Sequence, residues 1–221
     1  MSDTNLPPIS KLLEHAQYQY AVGDFEGTKK SAEQYLTSDD EILVQDAMRI
    51  VALADFQLKN FDKAEDLWAK VAGQSSRTID WFNLATSSTL NSNLTEGKVA
   101  FDRAVELCAD EKGDGAPNPI IMRFHYINTL VEASEFERAF EELEILEKFY
   151  TNSGVTDATH LTLSAGAMIP SFFTWLESAK PVLKKIDKEK AKEWLERIKS
   201  KVDEEGKATI LTIEEDLKNE E

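Results

Sequence analysis

The chain has 221 residues and a formal net charge of −16, with 42% hydrophobic and 30% charged residues. This balance is typical of a globular chain long enough to bury a sizeable core, and it argues against global disorder. The acidic charge disfavours a nucleic acid or an anionic membrane surface as partner, because both repel a surface without a basic stripe.

Cysteine content and hydropathy bear on the compartment. Cys108 is the single cysteine of the chain, so no internal disulfide can form, which suits a reducing compartment. Residues 1–8 contain neither a basic region nor an apolar run, so no signal peptide is expected there. No apolar run approaches about 18 residues, which predicts no membrane insertion. We therefore expect a cytoplasmic protein.

The first 150 residues divide into four predicted units, each a pair of helices separated by one short break. Strand signals are scarce, and apolar residues recur at helical spacing. Ser38, Asp39 and Asp40 are N-cap candidates for a helix that opens near Glu41. A connecting loop is predicted at 110–118. The breaks within the four units fall at 23–24, 59–60, 91–93 and 134–135.

The remaining residues form a weaker pattern that predicts further helices. A helix is expected over 157–168, and Pro170 suits the first turn of the next one, which Pro181 is expected to split or kink. Asp187 is a predicted N-cap for a helix over 188–202 with one apolar stripe. A final helix is expected over 208–217.

One local pattern recurs in register through all four units. Each unit carries an apolar residue three positions before a small or nearly small one, and these markers are 36, 33 and 42 residues apart. Further small or apolar residues stand twelve positions before the marker and four and seven after it. Such a period is typical of stacked supersecondary units. The markers are Phe25–Thr28, Phe61–Ala64, Leu94–Gly97 and Phe136–Ala139.

This pattern resembles the tetratricopeptide repeat (TPR) family, whose unit of about 34 residues is a pair of antiparallel helices. The third unit matches best, through Trp81, Leu84, Ala85, Leu94, Gly97, Phe101 and Ala104. The first and fourth units depart more, with Ala32 where a large apolar residue is usual and Arg123 where an apolar one is. The resemblance implies an all-α fold, a right-handed superhelical solenoid of antiparallel helix pairs. Residues 1–154 would form four hairpins, and 155–221 C-terminal capping helices. Whether 155–221 form a degenerate fifth repeat plus a capping helix, a lid over the groove or an oligomer contact stays open.

In this family the first helix of each pair lines a concave groove in which peptides bind. Carried over by position, the resemblance places fourteen residues there, and Arg49 is the only formal cation among them. We therefore expect an apolar or aromatic peptide segment in the groove, with Asn83 and Asn128 holding its main chain. The alternative is that the aromatic residues are covered by the chain's own C-terminal helices or by a second copy. The predicted groove residues are Leu13, Gln17, Tyr20, Arg49, Leu53, Phe56, Phe82, Asn83, Thr86, Thr89, Phe124, His125, Asn128 and Val131.

No residue pattern points to catalysis, a cofactor or a metal. The three histidines show no ligand spacing with one another or with Cys108, which we expect to be a buried, inert thiol. The predicted function is non-catalytic binding of a protein or peptide, as an adaptor or scaffold. A cytoplasmic chaperone of a secreted client and a self-assembling structural protein stay open as alternatives, as does a homodimer.

Overall fold

The computed structural model describes residues 11–111 and 117–219, and within these ranges the chain is all-α with no strand. The predicted N-terminal segment 1–8 and most of the predicted loop at 110–118 lie outside the described residues. A 3-10 turn, Lys11–Leu13, precedes the first helix. The helices are α1 (Glu14–Ala21), α2 (Phe25–Glu33), α3 (Glu41–Gln57), α4 (Phe61–Ala72), α5 (Thr78–Leu90), α6 (Leu94–Asp110), α7 (Pro119–Glu132), α8 (Phe136–Thr151), α9 (Ala158–Ala165), α10 (Phe172–Leu183), α11 (Lys188–Lys199) and α12 (Glu204–Asn219).

The chain forms two compact units, Met1–Pro117 and Asn118–Glu221. The first unit contains α1 to α6 and the second α7 to α12. The sequence-based grouping into 1–154 and 155–221 follows the repeat pattern rather than packing, and it stays a prediction.

The same turn closes the helix pairs α1–α2, α3–α4, α5–α6 and α7–α8. In each, one residue has a left-handed backbone, and the next residue donates its N–H to a carbonyl five positions back. These are the bonds of a Schellman motif, which satisfies the last carbonyls of the first helix. All four breaks predicted from the sequence are confirmed. The left-handed residues are Gly23, Lys59, Ser92 and Ser134.

The small marker residues lie buried where the two helices of a pair meet. Thr28, Ala64 and Ala139 are fully buried. A Cβ atom on Gly97 would lie 2.4 Å from the Thr89 Oγ1 and 3.1 Å from the Ala85 carbonyl, so α5 and α6 approach too closely for any larger residue. The repeat register read from the sequence is therefore the register of the helix contacts.

In the first unit, each helix packs on the next one along the chain, and α1 also contacts α3. The core is built from residues of the repeat pattern, including Ala52, Trp68 and Phe101. Asp40 caps α3, as predicted, by accepting hydrogen bonds from the Ile42 and Leu43 N–H groups at 3.0 and 3.2 Å.

In the second unit, α7 pairs with α8, α10 packs on α8 and α12, and α11 packs on α12. Its centre is aromatic. Tyr150 stacks on Trp175 with ring centroids 4.4 Å apart, and Trp194 contacts both Trp175 and Phe140 edge-on. Such aromatic pairs stabilise the fold by more than the burial of their apolar area alone.

Several helix boundaries in the second unit differ from the prediction. The helix α9 ends at Ala165 rather than 168, and α11 ends at Lys199 rather than 202. Pro170 precedes α10, whose N-cap is Ser171, so the first-turn prediction for this proline is wrong. The last helix begins at Glu204 rather than 208, because the Asp203 carboxylate accepts from the Gly206 N–H at 2.9 Å and caps it. Asp187 caps α11 as predicted, by accepting from the Lys190 N–H.

Pro181 lies inside α10, which continues past it to Leu183. The side chain is exposed, so water can reach the carbonyl that Pro181 leaves without an intrahelical partner. The expected split of this helix at Pro181 is therefore wrong.

Candidate functional site

The fourteen predicted groove positions fall into two groups, one in each compact unit. The first unit holds the ten on α1, α3, α5 and the turn before α1, and the second holds the four on α7. Phe124 and Val131 are half-buried, whereas His125 and Asn128 are exposed.

Four of the ten positions in the first unit are buried in the fold. Leu13 and Thr89 are inaccessible, and Leu13 belongs to a core cluster with Ala16 and Ile50. Thr86 and Arg49 are each only 8% exposed. Their assignment to an open surface needs correcting, because the repeat pattern identifies the first helix but not how deeply each of its side chains is covered.

Arg49 joins two helices. Its Nε and one terminal nitrogen donate to both carboxylate oxygens of Asp80 on α5, at 2.9 to 3.2 Å. The other terminal nitrogen donates to Asp46, one turn earlier on α3, at 2.9 Å. Burial opposes the charge, but the hydrogen bonds to Asp80 and Asp46 outweigh it and raise the pKa of Arg49. This guanidinium is occupied by the protein itself, so it is not placed to grip a ligand carboxylate.

The six remaining positions are half-buried and lie on α1, α3 and α5. We call them the first-helix face. Four of them are aromatic or aliphatic, and two carry amides, which are groups that can bind a main chain. The first-helix face consists of Gln17, Tyr20, Leu53, Phe56, Phe82 and Asn83.

The aromatic rings of the first-helix face are held from behind. Tyr20 packs edge-on against Phe25, and Phe56 packs in the same way against Phe61, with ring centroids 5.4 Å apart in both pairs. Phe25 and Phe61 are aromatic marker residues of the repeat and are the first residues of α2 and α4. The same pair of rings therefore recurs in two successive helix pairs, α1–α2 and α3–α4, and it orients the ring of the first helix in both.

Polar contacts link α1 to α3 in addition to the packing. The Gln57 side-chain amide donates to the Tyr20 hydroxyl at 3.3 Å. Burial raises the pKa of Tyr20, so its phenol stays neutral near pH 7. Together with the Arg49–Asp80 pair, this bond fixes α3 relative to its neighbours α1 and α5. Neither contact was predicted from the sequence, because Gln57 and Asp80 are not positions of the repeat pattern.

Three further observations on the described residues concern metal binding, the cysteine thiol and membrane-spanning helices. No three His, Cys, Asp or Glu side chains among them are grouped to hold a metal ion. Cys108 is buried, its thiol donates to the Pro117 carbonyl, and burial raises its pKa, so it is a poor nucleophile. In the part of the chain that the structure describes, no helix combines the length and apolar character needed to cross a membrane.

A cleft of about 440 Å³ lies on the second unit between α8 and α11. Three acidic and three basic side chains line it, and four of these six pair with one another. Arg197 donates to Glu144 and Glu147, and Lys201 donates to Glu147 at 2.9 Å. Because these charges neutralise each other, the cleft offers a ligand little uncompensated charge.

Comparison with known proteins leaves the family open. No protein-family model matches the chain, and no curated protein matches it. A solved structure from Bacteroides ovatus ATCC 8483, provisionally described as a protein-binding protein, is similar at 14% identity and a TM-score of 0.37, covering 93% of this chain and 98% of that one. This likeness is too distant to transfer a function.

Proposed function

We propose that the chain is a non-catalytic protein-interaction module of the TPR type, a right-handed solenoid of helix pairs whose first-helix face binds a segment of a protein partner. The observation that carries this proposal is the repeated geometry of the first unit. Successive first helices are joined by side-chain hydrogen bonds, Gln57–Tyr20 between α3 and α1 and Arg49–Asp80 between α3 and α5. Each presents a half-buried ring, which packs edge-on against Phe25 or Phe61 in α1 and α3 and lies tilted against Phe101 of α6 in α5. A pre-organised surface of this kind binds with little ordering cost.

The chemistry of the first-helix face favours an apolar or aromatic segment. Phe56, Phe82 and Leu53 supply apolar area, and aromatic side chains are typical anchors of interfaces. Asn83 and Gln17 provide amides that can pair with the main chain of an extended peptide. With Arg49 engaged by two aspartates, a terminal carboxylate is not the expected ligand.

We further propose that the protein acts in the cytoplasm as an adaptor or scaffold, without a cofactor or a catalytic step. Its lone cysteine and its acidic charge are compatible with that role. A chaperone of a secreted client would use the same face but would bind many unrelated apolar segments.

The proposal is tested by selecting peptides from a random library on the immobilised full chain and titrating the best one by calorimetry. We expect apolar and aromatic sequences to be enriched. Phe56→Ala and Phe82→Ala should each weaken binding about tenfold or more, which corresponds to about 1.4 kcal/mol.

Val99→Ala is the matched control, because Val99 is an exposed apolar residue on the second helix of a pair. It should bind as the wild type does. Far-UV circular dichroism checks that each variant is folded. Leu53→Gln removes apolar surface from the first-helix face without removing an aromatic ring. Equal binding by wild type, Phe56→Ala, Phe82→Ala and Leu53→Gln would contradict the proposal.

A further inference from the structure

A groove on the second unit lies between the first turns of α7 and the second half of α8. It has a volume of about 360 Å³. Of the described residues that line it, most are apolar, and the others are Arg123, Lys148 and Asn152. We call it the α7–α8 groove. Its apolar residues are Pro119, Ile120, Ile145, Leu146 and Phe149.

The two helices that form the α7–α8 groove are fixed to each other. Arg123 of α7 donates to the Glu142 carboxylate of α8, and the two side chains are only 13% and 3% exposed. This ion pair neutralises the guanidinium and joins the helices. The Asn118 side chain caps α7 by accepting from the Ile120 N–H at 2.9 Å. The groove is therefore formed before any partner arrives, which lowers the ordering cost of binding.

The rim of the α7–α8 groove is open to solvent. Leu146 is buried, Ile120 and Phe149 are half-buried, and Ile145 is 43% exposed. Pockets for small molecules enclose most of the surface of their ligand. An open apolar groove instead suits a segment of a larger partner, whose other residues stay outside it.

Lys148 gives the α7–α8 groove a positive charge. It is exposed, and it forms no ion pair with any residue that the structure describes. The two acidic residues that precede it within one turn of α8, Glu144 and Glu147, are both bound by Arg197. Among the described residues, no acidic side chain lines the groove itself. The groove is therefore locally cationic in a chain of net charge −16.

We propose that the α7–α8 groove is a second docking surface, for an apolar segment of a protein partner that carries one acidic side chain beside its apolar residues. The apolar side chains pack on Ile120, Ile145 and Phe149, and the carboxylate faces Lys148. Asn152 is exposed one turn after Lys148, and its amide can pair with the main chain of the segment.

Charge complementarity selects this occupant. A basic segment would meet the Lys148 ammonium, and a segment with many acidic residues would be repelled by the net charge of −16. The same net charge disfavours a second copy of the chain. A single carboxylate next to apolar side chains matches the one cation next to the apolar lining.

The α7–α8 groove belongs to the second unit and the first-helix face to the first, so each is tested with its own probe. The probe here is a synthetic peptide with a leucine and phenylalanine core and one glutamate, with both ends blocked so that neither carries a charge. Its partner probe has glutamine in place of the glutamate. In fluorescence anisotropy with the full chain, the glutamate peptide should bind about threefold to fivefold more tightly at low salt, and this preference should fade in about 1 M salt.

Two variants separate the electrostatic from the apolar part of the binding. Lys148→Gln should abolish the preference for glutamate without weakening the glutamine peptide, and Ile145→Gln should weaken both peptides several-fold. Lys70→Gln is the control for charge, because Lys70 is an exposed lysine of α4. Leu211→Gln is the control for exposed apolar area, because Leu211 of α12 is 47% exposed. Both controls should bind the two peptides as the wild type does.

The proposal is overturned if Lys148→Gln keeps the wild-type preference for glutamate, if Ile145→Gln binds as the wild type does, or if the wild type binds neither peptide. A dimer in sedimentation that Ile145→Gln abolishes would also overturn it, because the occupant is then a second copy. Phe82→Ala distinguishes it from the first-helix face. Full binding of the glutamate peptide by Phe82→Ala supports the α7–α8 groove, whereas loss in Phe82→Ala with full binding in Ile145→Gln assigns the peptide to the first-helix face.

Discussion

Arg49 shows how a single residue links two elements that are far apart in the sequence. Its side chain is bidentate to Asp80, 31 residues later, and also contacts Asp46. The repeat pattern predicted the helix on which Arg49 lies but placed its side chain on an open surface, whereas the side chain is buried. It could not predict the partner, because Asp80 lies on α5 and the pairing does not depend on local spacing.

Replacing Arg49 should therefore cost stability. Arg49→Met leaves Asp80 as a buried carboxylate without its cation, and loss of one partner from a buried pair costs about 3–5 kcal/mol. Urea unfolding measures the free-energy difference. The double variant Arg49→Met/Asp80→Leu should recover part of the loss, since Asp80 is then no longer an unpaired buried charge, whereas the buried Asp46 still lacks its cation. An Arg49→Met protein as stable as the wild type would show that the pair contributes nothing.

Glu147 makes stability depend on pH in the acidic range. Burial would raise the pKa of Glu147, but the hydrogen bonds from Arg197 and Lys201 outweigh it and hold the pKa below its usual value. A lowered pKa stabilises the fold above the unfolded-state pKa of about 4.3, and this contribution disappears as the pH falls through the folded-state value.

We expect Glu147→Gln to be less stable than the wild type at pH 7 and to approach it below pH of about 4. Urea unfolding across this range measures the difference. Glu144→Gln is the control, because Glu144 contacts the same Arg197 from an exposed position and should have the smaller effect. A wild-type advantage over Glu147→Gln that is the same at both pH values would rule out the ionised carboxylate as its source.

At the scale of elements, the turns were the most predictable part of the fold. Small and polar residues marked all four breaks, yet only Gly23 among the four left-handed residues of these turns is a glycine. Lys59, Ser92 and Ser134 adopt that conformation because the hydrogen bonds of the turn and the packing of both helices require it. The boundaries of α10 and α12 were less predictable, since the caps depend on the local choice between neighbouring polar residues.

Gly97 tests whether the marker position sets the distance between helices. Alanine would gain about 1 kcal/mol in helix propensity, but its Cβ would meet the Thr89 side chain and two backbone atoms of α5 within 3.2 Å. We expect Gly97→Ala to lower the midpoint of urea unfolding. Thr89→Ala/Gly97→Ala should recover part of the loss, and Thr95→Ala on the exposed side of α6 should not lose stability. A Gly97→Ala protein more stable than the wild type would contradict this reading.

At the scale of the whole molecule, the helical fold and the repeat register followed from the sequence, because burial acts on the same spaced positions in each unit. The candidate face followed only in part. Tyr20, Phe56 and Phe82 are half-buried where the resemblance placed them, whereas Leu13 and Thr89 are core residues.

The central claim is that the first helices of the first unit bind a partner segment. Hydrogen–deuterium exchange of the full chain, with and without a peptide selected on the wild type, tests it most directly. The account predicts that added protection falls on α1, α3 and α5 and is lost in Phe82→Ala. Protection confined to the second helices α2, α4 and α6, or none beyond the free protein, would contradict it.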